Sequence, residues 1–508
     1  MELVDLLIVF GVPLVLVGLL VLPFLRVGVD LADEGYLVFG TASLLDGKIP
    51  IRDFRAYDPG RYYWCGLFAL IVGRGYFATR IAMAVMMVIA LSLLTSLIIT
   101  ATGEALIGGL NCGLALIWMQ PRAKQIENFF LILSVLLLFN LTQDGTRSDY
   151  AALGATIGLS AFFGLNTLVY MCAASVLVGV LALGLLTAAS LSSFAAGLGL
   201  GLLPVLAMVL MAKGYAREYW RRKVVVLRQR GSTNLKLPLP WLWARGRTSF
   251  DLLPPARRWG LKTLFTLMPV LFLAGLSLPL MLGASALTDP MRLVFAASGV
   301  GLVSFHHTVS RADLGHIFQP SLCLAMALTG GIFALLGPVG AVIFLCPAVA
   351  GSVALVWTQQ FHLPEYRKIR HALRPFDCAT DRLWLPAGLA AQMDQLQQIT
   401  QELTAKGEPI LAVPMQIGLC TLFDRSHAAY DSFPVYPSEA STRRAMMGDL
   451  ERYRPKLLLI GSMALDRRED LIFLNNYPNV AVLIAAEYVK LNTIGRTEAY
   501  VRSDVQKS

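Results

Sequence analysis

Long apolar runs follow one another along the first two thirds of the chain, from the N-terminus to about Trp357. Runs of about 18 residues with few charges are long enough for a helix to cross a hydrocarbon core of roughly 30 Å. The pattern predicts eleven membrane helices. They are residues 3–25, 77–100, 104–118, 128–142, 151–164, 167–188, 191–212, 259–283, 290–309, 320–337 and 339–358. Two of them, 128–142 and 151–164, are short for a span and could be tilted or broken.

The pattern changes after residue 360, where no further run of that length follows. Amphipathic spacing predicts helices at 389–403 and 440–453, and PILAVPM at 409–415 is typical of a buried strand. KLLLIGS at 456–462 and VAVLIAA at 480–486 are two more apolar runs, and we expect both to be strands. Short apolar runs that alternate with helices favour a small α/β layer fold. The sequence therefore predicts a transmembrane domain at 1–360 and a soluble α/β domain at 375–508.

Composition supports the membrane assignment. The 508 residues are 56% apolar and 15% charged, with a mean hydropathy of +0.62, whereas soluble domains carry nearer a quarter charged residues. The first run, Val4 to Leu25, is too long for the apolar region of a signal peptide and lacks a small-residue cleavage site, so we expect it to remain as a helix.

Cysteine and histidine spacing provides no support for a metal site, because neither a CxxC nor an HExxH pattern occurs among the seven cysteines and six histidines. Cys378 and Cys420 could pair if the C-terminal domain is extracytoplasmic, but their spacing does not require it.

The number of spans bears on sidedness. With the N-terminus inside, eleven spans place the C-terminal domain and the loops at 26–76, 213–258 and 310–319 on the outer side. The positive-inside rule opposes this placement, because Lys213 to Lys262 holds thirteen Lys and Arg against two acids. This excess accounts for the net charge of +10.

The first loop contains the most suggestive chemistry. Residues 30–63 read DLADEGYLVFGTASLLDGKIPIRDFRAYDPGRYY. Asp30, Asp33 and Glu34 follow closely on the first helix, where carboxylates are costly unless they face water, a partner or a ligand. The spacing over Leu37 to Leu45 predicts a short helix along the membrane surface, and Tyr57, Tyr62, Tyr63 and Trp64 are expected to form an interfacial aromatic belt. Alternatively, the acids and bases of this loop simply pair with one another in water.

The ordered set DEGY, LLDGKIPIRDF and YDPGRYYW, followed by an apolar helix with Arg80 near its start, resembles bacterial members of the GT-C glycosyltransferase superfamily. These include relatives of protein O-mannosyltransferases and of lipid A aminoarabinose transferases. The resemblance is strongest over Asp33 to Arg80. It implies a multispan helical fold in the bacterial inner membrane, with the active site and the C-terminal domain on the extracytoplasmic side.

The resemblance also implies an inverting transfer from a polyprenyl-phosphate sugar to a glycan, a lipid glycan or a protein. One carboxylate must take a proton from the acceptor hydroxyl, and cations must stabilise the departing phosphate. The family motif makes Asp33 the first candidate for this base and Glu34 the second. Asp58, Arg61 and Arg80 are candidates for binding donor phosphate or acceptor. Whether a divalent cation, Mg²⁺ or Mn²⁺, assists is left open.

Three other loops carry candidates for the same binding roles. Arg122 and Lys124 could contact a lipid phosphate or could equally be helix-end residues that reach the headgroups. Arg311, Asp313 and His316 lie within six residues, Asp313 and His316 on one face if the segment is helical, and the family resemblance extends to them. In the basic loop, Arg221 and Arg222 lie among aromatic residues, which beside a bilayer suggests anionic headgroups or a lipid phosphate rather than nucleic acid.

A hexosyl- or pentosyltransferase is therefore the function that the sequence favours. The alternative from another class is a transporter or flippase of lipid-linked sugars, which would be expected to show internal repeats and polar groups at mid-membrane. A non-catalytic scaffold of envelope synthesis is a third. The sequence shows no clear repeat, and its strongest acids lie outside the predicted spans.

Overall fold

A computed structural model describes residues 3–119, 121–143, 145–182, 188–228, 235–357 and 370–506. The helices before the C-terminal region are α1 (Leu3–Leu20), α2 (Asp33–Leu45), α3 (Gly60–Val72), α4 (Tyr76–Thr102), α5 (Ala105–Trp118), α6 (Gln125–Thr142), α7 (Arg147–Phe163), α8 (Leu165–Leu181), α9 (Ala188–Gly201), α10 (Leu203–Met211), α11 (Tyr215–Arg228), α12 (Pro255–Leu282), α13 (Asp289–Ser310) and α14 (Leu314–Ser352). Helix α14 breaks at Gly337, because its φ of 67° is incompatible with a right-handed α-helix.

The chain is a mostly helical membrane protein. Within the described residues, six helices are long and apolar enough to cross a bilayer, or seven if the bent pair α9 and α10 forms one span. Each of the eleven predicted segments overlaps a helix, the α9–α10 pair or one half of the broken α14, but parts of the segments 167–188 and 339–358 lie outside the described residues. Helices α5 and α8, with 14 and 17 residues, are shorter than a full straight span.

Contacts divide the chain into two compact units. The first comprises Met1–Pro23, Met83–Met211 and Asn234–Glu365, and the second comprises Phe24–Ala82, Ala212–Thr233 and Tyr366–Ser508. The second unit therefore joins three stretches that are far apart in sequence: the first loop, α11 and the C-terminal region.

The first unit is a helical bundle with buried hydrogen bonds between polar side chains of different helices. The Asn111 amide donates to Thr329 Oγ1 at 2.5 Å, and the Trp118 indole donates to Ser352 Oγ at 2.9 Å. Both bonds tie α5 to α14, and both are buried. In an apolar bundle such bonds fix the register of two helices, because an unpaired polar group there would be costly.

The C-terminal region is the α/β layer that the sequence predicts. Its strands are β1 (Leu373–Asp377), β2 (Arg382–Pro386), β3 (Pro409–Val413), β4 (Ser426–His427), β5 (Leu457–Gly461), β6 (Tyr488–Ile494) and β7 (Thr497–Arg502). Its helices are α15 (Ala387–Leu403), α16 (Gly418–Leu422), α17 (Ala440–Tyr453), α18 (Phe473–Asn476), α19 (Pro478–Glu487) and α20 (Ser503–Gln506). Strands β1 and β2 form a hairpin, and the other five form a sheet in the order β4-β3-β5-β7-β6.

The sheet is buried on both faces, which explains why β3 and β5 are apolar without alternation. One face, with Ile410, Ala412 and Leu457, contributes to a core that includes α15, while Leu411 and Leu458 face a second core against α17 and α19. The pairing of β3 with β5 is parallel, and that of β5 with β7 is antiparallel.

The first loop belongs to the core of the C-terminal region. Tyr36, Val38 and Phe39 of α2 and Phe54 are buried in the same hydrophobic cluster as Leu383 and other C-terminal residues. The loop also adds backbone hydrogen bonds, because Trp384 N of β2 donates to Arg26 O and receives a return bond at its carbonyl from Gly28 N. The catalytic candidates therefore lie on a scaffold that the C-terminal region helps to build.

Three sequence predictions are wrong. VAVLIAA forms helix α19 rather than a strand, because Pro478 fits the first helical turn and one side, with Val480 and Ile484, can bury itself against the sheet. Tyr62, which we expected with Tyr57 and Tyr63 in an interfacial belt, is fully buried. Helix α2 forms where expected, but most of its residues are buried rather than lying along a surface.

Candidate active site

The DEGY segment opens helix α2, and its two acids have different environments. Glu34 is buried and forms an ion pair with Arg80, with Nη2 to Oε2 at 2.6 Å and Nε to Oε1 at 3.2 Å. Arg80 also donates from Nη1 to Leu25 O at 2.8 Å and from Nη2 to Gly28 O at 3.0 Å. All three guanidinium nitrogens are thus engaged. The pair ties α2 to the start of α4 and to the backbone that leads into the first loop.

Asp33, in contrast, is exposed. No hydrogen bond or ion pair holds its carboxylate among the residues that the structure describes. Desolvation, followed by the negative charge of Asp33, raises the pKa of the Tyr57 phenol, so the two side chains lie within electrostatic reach. Asp33 stands in the first turn of α2, where the helix dipole favours an anion. It is the acid of the pair whose side chain is exposed.

Asp30 caps the same helix. Its Oδ1 accepts a hydrogen bond from Ala32 N at 2.8 Å, and its Oδ2 accepts one from Glu34 N at 3.4 Å. Desolvation of the carboxylate, together with the negative charges of Glu34 and Asp33, raises its pKa to about 6. Asp30 is an exposed residue, but the two neighbouring charges act in this direction whatever its exposure. Asp30 therefore accepts hydrogen bonds from amides at the start of α2, and, after desolvation and the charge of Glu34, the charge of Asp33 is one of the causes that raise its pKa.

Two glycines allow the elements around Asp33 to approach closely. A Cβ on Gly35 would lie 2.9 Å from the Cα and the N of Gly418 in α16, and one on Gly40 would lie 2.2 Å from the Tyr62 ring. Gly418 N donates to Leu31 O at 3.1 Å. The glycine of the DEGY segment is thus required by the contact between α2 and the C-terminal region.

C-terminal acids hold the first loop at two more points. Arg55 donates to Asp431 Oδ1 at 2.8 Å and to Phe433 O at 3.1 Å. Asp381 accepts from Tyr76 N at 2.5 Å and from Phe77 N at 3.4 Å, and so caps α4. Desolvation raises the pKa of Asp381 to about 6, although these amide bonds oppose the shift. The sequence does not mark Asp381 and Asp431 as partners of the first loop, because a lone acid in a soluble stretch gives no signal of its partner.

Asp58 and Arg61 lie in the same unit and are buried, with 6% and 7% of their surface exposed. The Arg61 guanidinium is 4.7 Å from the centre of the Tyr57 ring. Desolvation, then the charge of Asp58, raises the pKa of Tyr219 in α11 to about 12. The second unit therefore brings Asp58, Arg61 and α11 into the neighbourhood of Tyr57, which itself lies beside Asp33.

Arg221 and Arg222 of α11 differ in what they face. Both interact with Glu218, at 2.7 and 3.7 Å. The Arg222 guanidinium lies 3.8 Å from the centre of the Tyr430 ring in the C-terminal region, whereas Arg221 is mainly exposed. Arg222 thus anchors α11, and Arg221 faces outwards.

Arg311, Asp313 and His316 form one cluster in the first unit. Asp313 Oδ2 accepts from Arg311 Nε at 2.8 Å, and its Oδ1 lies 2.6 Å from His316 Nδ1 and accepts from His316 N at 3.1 Å. The expected neighbourhood of Asp313 and His316 is confirmed, with Asp313 as the N-cap of α14. Desolvation raises the pKa of Asp313, but the His316 hydrogen bond and the Arg311 charge outweigh it and lower the pKa overall.

Arg122 and Lys124 lie in the short 3₁₀ turn that precedes α6, also in the first unit, and both are half-buried. Within the described ranges, no three His, Cys, Asp or Glu side chains are grouped as a metal ion would require. Cys378 and Cys420, which could have paired, are both free thiols.

Comparisons with known proteins give a distant match. No known family matches the chain, and no curated protein does. Among solved structures, the chain is similar to ArnT from Cupriavidus metallidurans bound to undecaprenyl phosphate, at 11% identity and a TM-score of 0.43 over 99% of this chain and 97% of that one. The apo state of the same protein gives 12% identity and a TM-score of 0.46, over 97% and 96%. Both similarities extend over nearly the full length of each chain.

Proposed function

We propose that the protein is an integral membrane glycosyltransferase of the GT-C type, with a polyprenyl-phosphate monosaccharide as donor and a glycan, lipid glycan or protein of the cell envelope as acceptor. The observation that carries this proposal is the division of labour in the DEGY segment. Glu34 is held by Arg80, while Asp33, one residue earlier, is exposed in the first turn of α2. An enzyme of this class needs one such open carboxylate on a rigid support.

In the proposed reaction, Asp33 takes the proton of the acceptor hydroxyl as its oxygen attacks the anomeric carbon. The bond from that carbon to the phosphate oxygen breaks, and the lipid phosphate leaves with the electron pair. Attack opposite the leaving group inverts the anomeric configuration. A base placed in this way contributes about 10²- to 10⁴-fold to the rate.

Cations must stabilise the departing phosphate, and we propose Arg61 of the second unit for this role. Arg221 was a second candidate, but its side chain is mainly exposed and faces outwards, so we propose that it contacts headgroup phosphates instead. Arg80 was a candidate for this role. Because all its nitrogens are engaged, we propose that it positions α2 instead, together with Glu34. We propose that Asp58 and Arg222 shape the acceptor side. Desolvation and the negative charge of Asp58 raise the pKa of Tyr219, and the Arg222 guanidinium lies against the Tyr430 ring.

The first unit supplies further cations. We propose that Arg122, Lys124 and the Arg311–Asp313–His316 cluster bind lipid phosphate or acceptor. The cluster suits an anion because its one acid contacts two cationic or proton-bearing side chains, and an arginine fork recognises phosphate.

The proposed topology has eleven spans, with the loop at 26–76 and the C-terminal region on the extracytoplasmic side of a bacterial inner membrane. Asp46 lies just after α2 and is exposed. In a variant without native cysteines, Asp46→Cys is expected to react with a membrane-impermeant thiol reagent on intact cells. Labelling only after the membrane is opened would reverse the sidedness.

Transfer is tested with the purified full-length protein in lipid nanodiscs, supplied with a radiolabelled polyprenyl-phosphate sugar pool and envelope extract. The proposal expects label to move to an acceptor with release of one polyprenyl phosphate per sugar. A flippase would instead move the intact lipid-linked sugar across proteoliposomes without releasing the phosphate. That result would replace the proposal with the transporter alternative.

A further inference from the structure

Helix α11 has two sides with different surroundings. On one side Tyr215 is 2% exposed, Tyr219 is half-buried, and Arg222 lies over the Tyr430 ring. These contacts fix the helix against its own unit. Its attachment is therefore accounted for by this inner side alone.

The other side is exposed and combines cations with a tryptophan. Arg217 and Arg221 are four residues apart within the helix and therefore share a face, and Lys213 lies in the turn just before it. All three are exposed, and Trp220 on the same side is 71% exposed. Among the described residues, neither Lys213 nor Arg217 has an acidic partner. We call Lys213, Arg217, Trp220 and Arg221 the outer face of α11.

The first residue of this face, Lys213, follows closely on an apolar helix. The apolar helix α10 ends at Met211, and Leu210 and Met211 are 82% and 86% exposed. Such exposure suits lipid contact and would be costly in water. Gly214, with φ +82°, makes the turn into α11. The outer face thus begins two residues after the membrane helix ends, where headgroups lie.

We propose that the outer face of α11 binds the anionic headgroups of bilayer phospholipids. Lys and Arg near such a surface attract anionic lipid, about fivefold in local occupancy per cation. An exposed tryptophan favours the boundary between headgroups and acyl chains. Charge complementarity selects an anionic leaflet over a zwitterionic one.

The binding would act beyond the transfer chemistry. Desolvation and, to a smaller extent, the negative charge of Asp58 raise the pKa values of Tyr215 and Tyr219 on the inner side of α11. Headgroup binding by the outer face would therefore hold the inner side of α11, near Asp58, at the bilayer surface. This binding does not depend on the proposed transferase activity, so either proposal can be wrong while the other is right.

The test uses the full-length protein in nanodiscs of phosphatidylcholine. In one set, a fixed fraction of the lipid is brominated phosphatidylglycerol, and in the other the same fraction is brominated phosphatidylcholine. The contribution of Trp220 is the fluorescence of the protein minus that of Trp220→Phe. We expect brominated phosphatidylglycerol to quench this contribution more strongly.

The double variant Lys213→Gln/Arg217→Gln is expected to reduce the preference at least fivefold. The charge-conserving variant Lys213→Arg/Arg217→Lys must retain it. Arg444→Gln/Arg452→Gln removes the same charge from α17 in the C-terminal region and must also leave it unchanged. These controls separate the outer face from net charge and from misfolding.

Equal quenching by the two lipids would overturn the proposal, as would a preference that survives Lys213→Gln/Arg217→Gln. A third set of nanodiscs carries polyprenyl phosphate in place of phosphatidylglycerol, with brominated phosphatidylcholine as the reporter. If polyprenyl phosphate alone changed the Trp220 signal, the face would belong to the lipid-linked donor, and the proposal would again be overturned.

Discussion

The buried pair of Glu34 and Arg80 makes a sharp prediction about stability. Their side chains are 8% and 2% exposed and joined at 2.6 Å, so solvent screens the pair little. Removing one partner of such a pair costs about 3–5 kcal/mol, because the other charge is left buried. Glu34→Gln should therefore lower the stability of α2 by this amount, even though Arg80 keeps its bonds to Leu25 O and Gly28 O.

Hydrogen–deuterium exchange of the α2 amides in nanodiscs measures this loss. A cost of that size corresponds to a fall in protection of about 150- to 5,000-fold. Asp377→Asn is the matched control, since its pair with Arg382 has both side chains 62% exposed, and it should leave protection unchanged. Protection of α2 within threefold of the unmodified protein in Glu34→Gln would refute the positioning role. If transfer also vanished in that variant, Glu34 would be the better candidate for the base.

Two further predictions concern packing and pH. Gly35→Ala should destabilise the second unit by about 1–3 kcal/mol, because the new Cβ would meet the Gly418 backbone at 2.9 Å. Gly113→Ala in α5 is the control: a Cβ there would have no atom within 4 Å, so this variant should be neutral or slightly stabilising. Equal melting temperatures of the two variants would contradict the prediction. The pKa of Asp381 is raised to about 6, so its protonated form stabilises the fold below its unfolded pKa of about 3.9, and this contribution is lost as pH rises through about 6. Between pH 4 and 7, the melting temperature should therefore fall less steeply with pH in Asp381→Asn than in the unmodified protein. Parallel curves of melting temperature against pH would show that Asp381 does not titrate in this range.

The elements of the fold were largely predictable from local pattern. Apolar runs located the membrane helices, and amphipathic spacing located α15 and α17 within a few residues. The pattern failed at 480–486 because a short apolar run suits a buried strand and a half-buried helix equally. Pro478 favours the helix, but only tertiary contacts decide.

The candidate site was only partly predictable. The carboxylates of the first loop stood out because they lie close to hydrocarbon, and Asp313 and His316 could be paired from their spacing. The partners of the first loop could not be found, because Asp381, Asp431 and Gly418 lie more than 300 residues further along the chain. Nor could spacing show that Glu34 is engaged and Asp33 open, since that difference depends on which side of α2 faces Arg80.

The central claim is that Asp33 is the base of a transfer from a lipid-linked sugar. The most direct test measures single-turnover transfer and donor binding side by side in purified Asp33→Asn protein, with Asp394→Asn in α15 as an exposed control. The account predicts that transfer falls about 10²- to 10⁴-fold in Asp33→Asn while donor affinity and melting temperature stay unchanged, and that Asp394→Asn has no effect. Transfer by Asp33→Asn within threefold of the unmodified protein would contradict it.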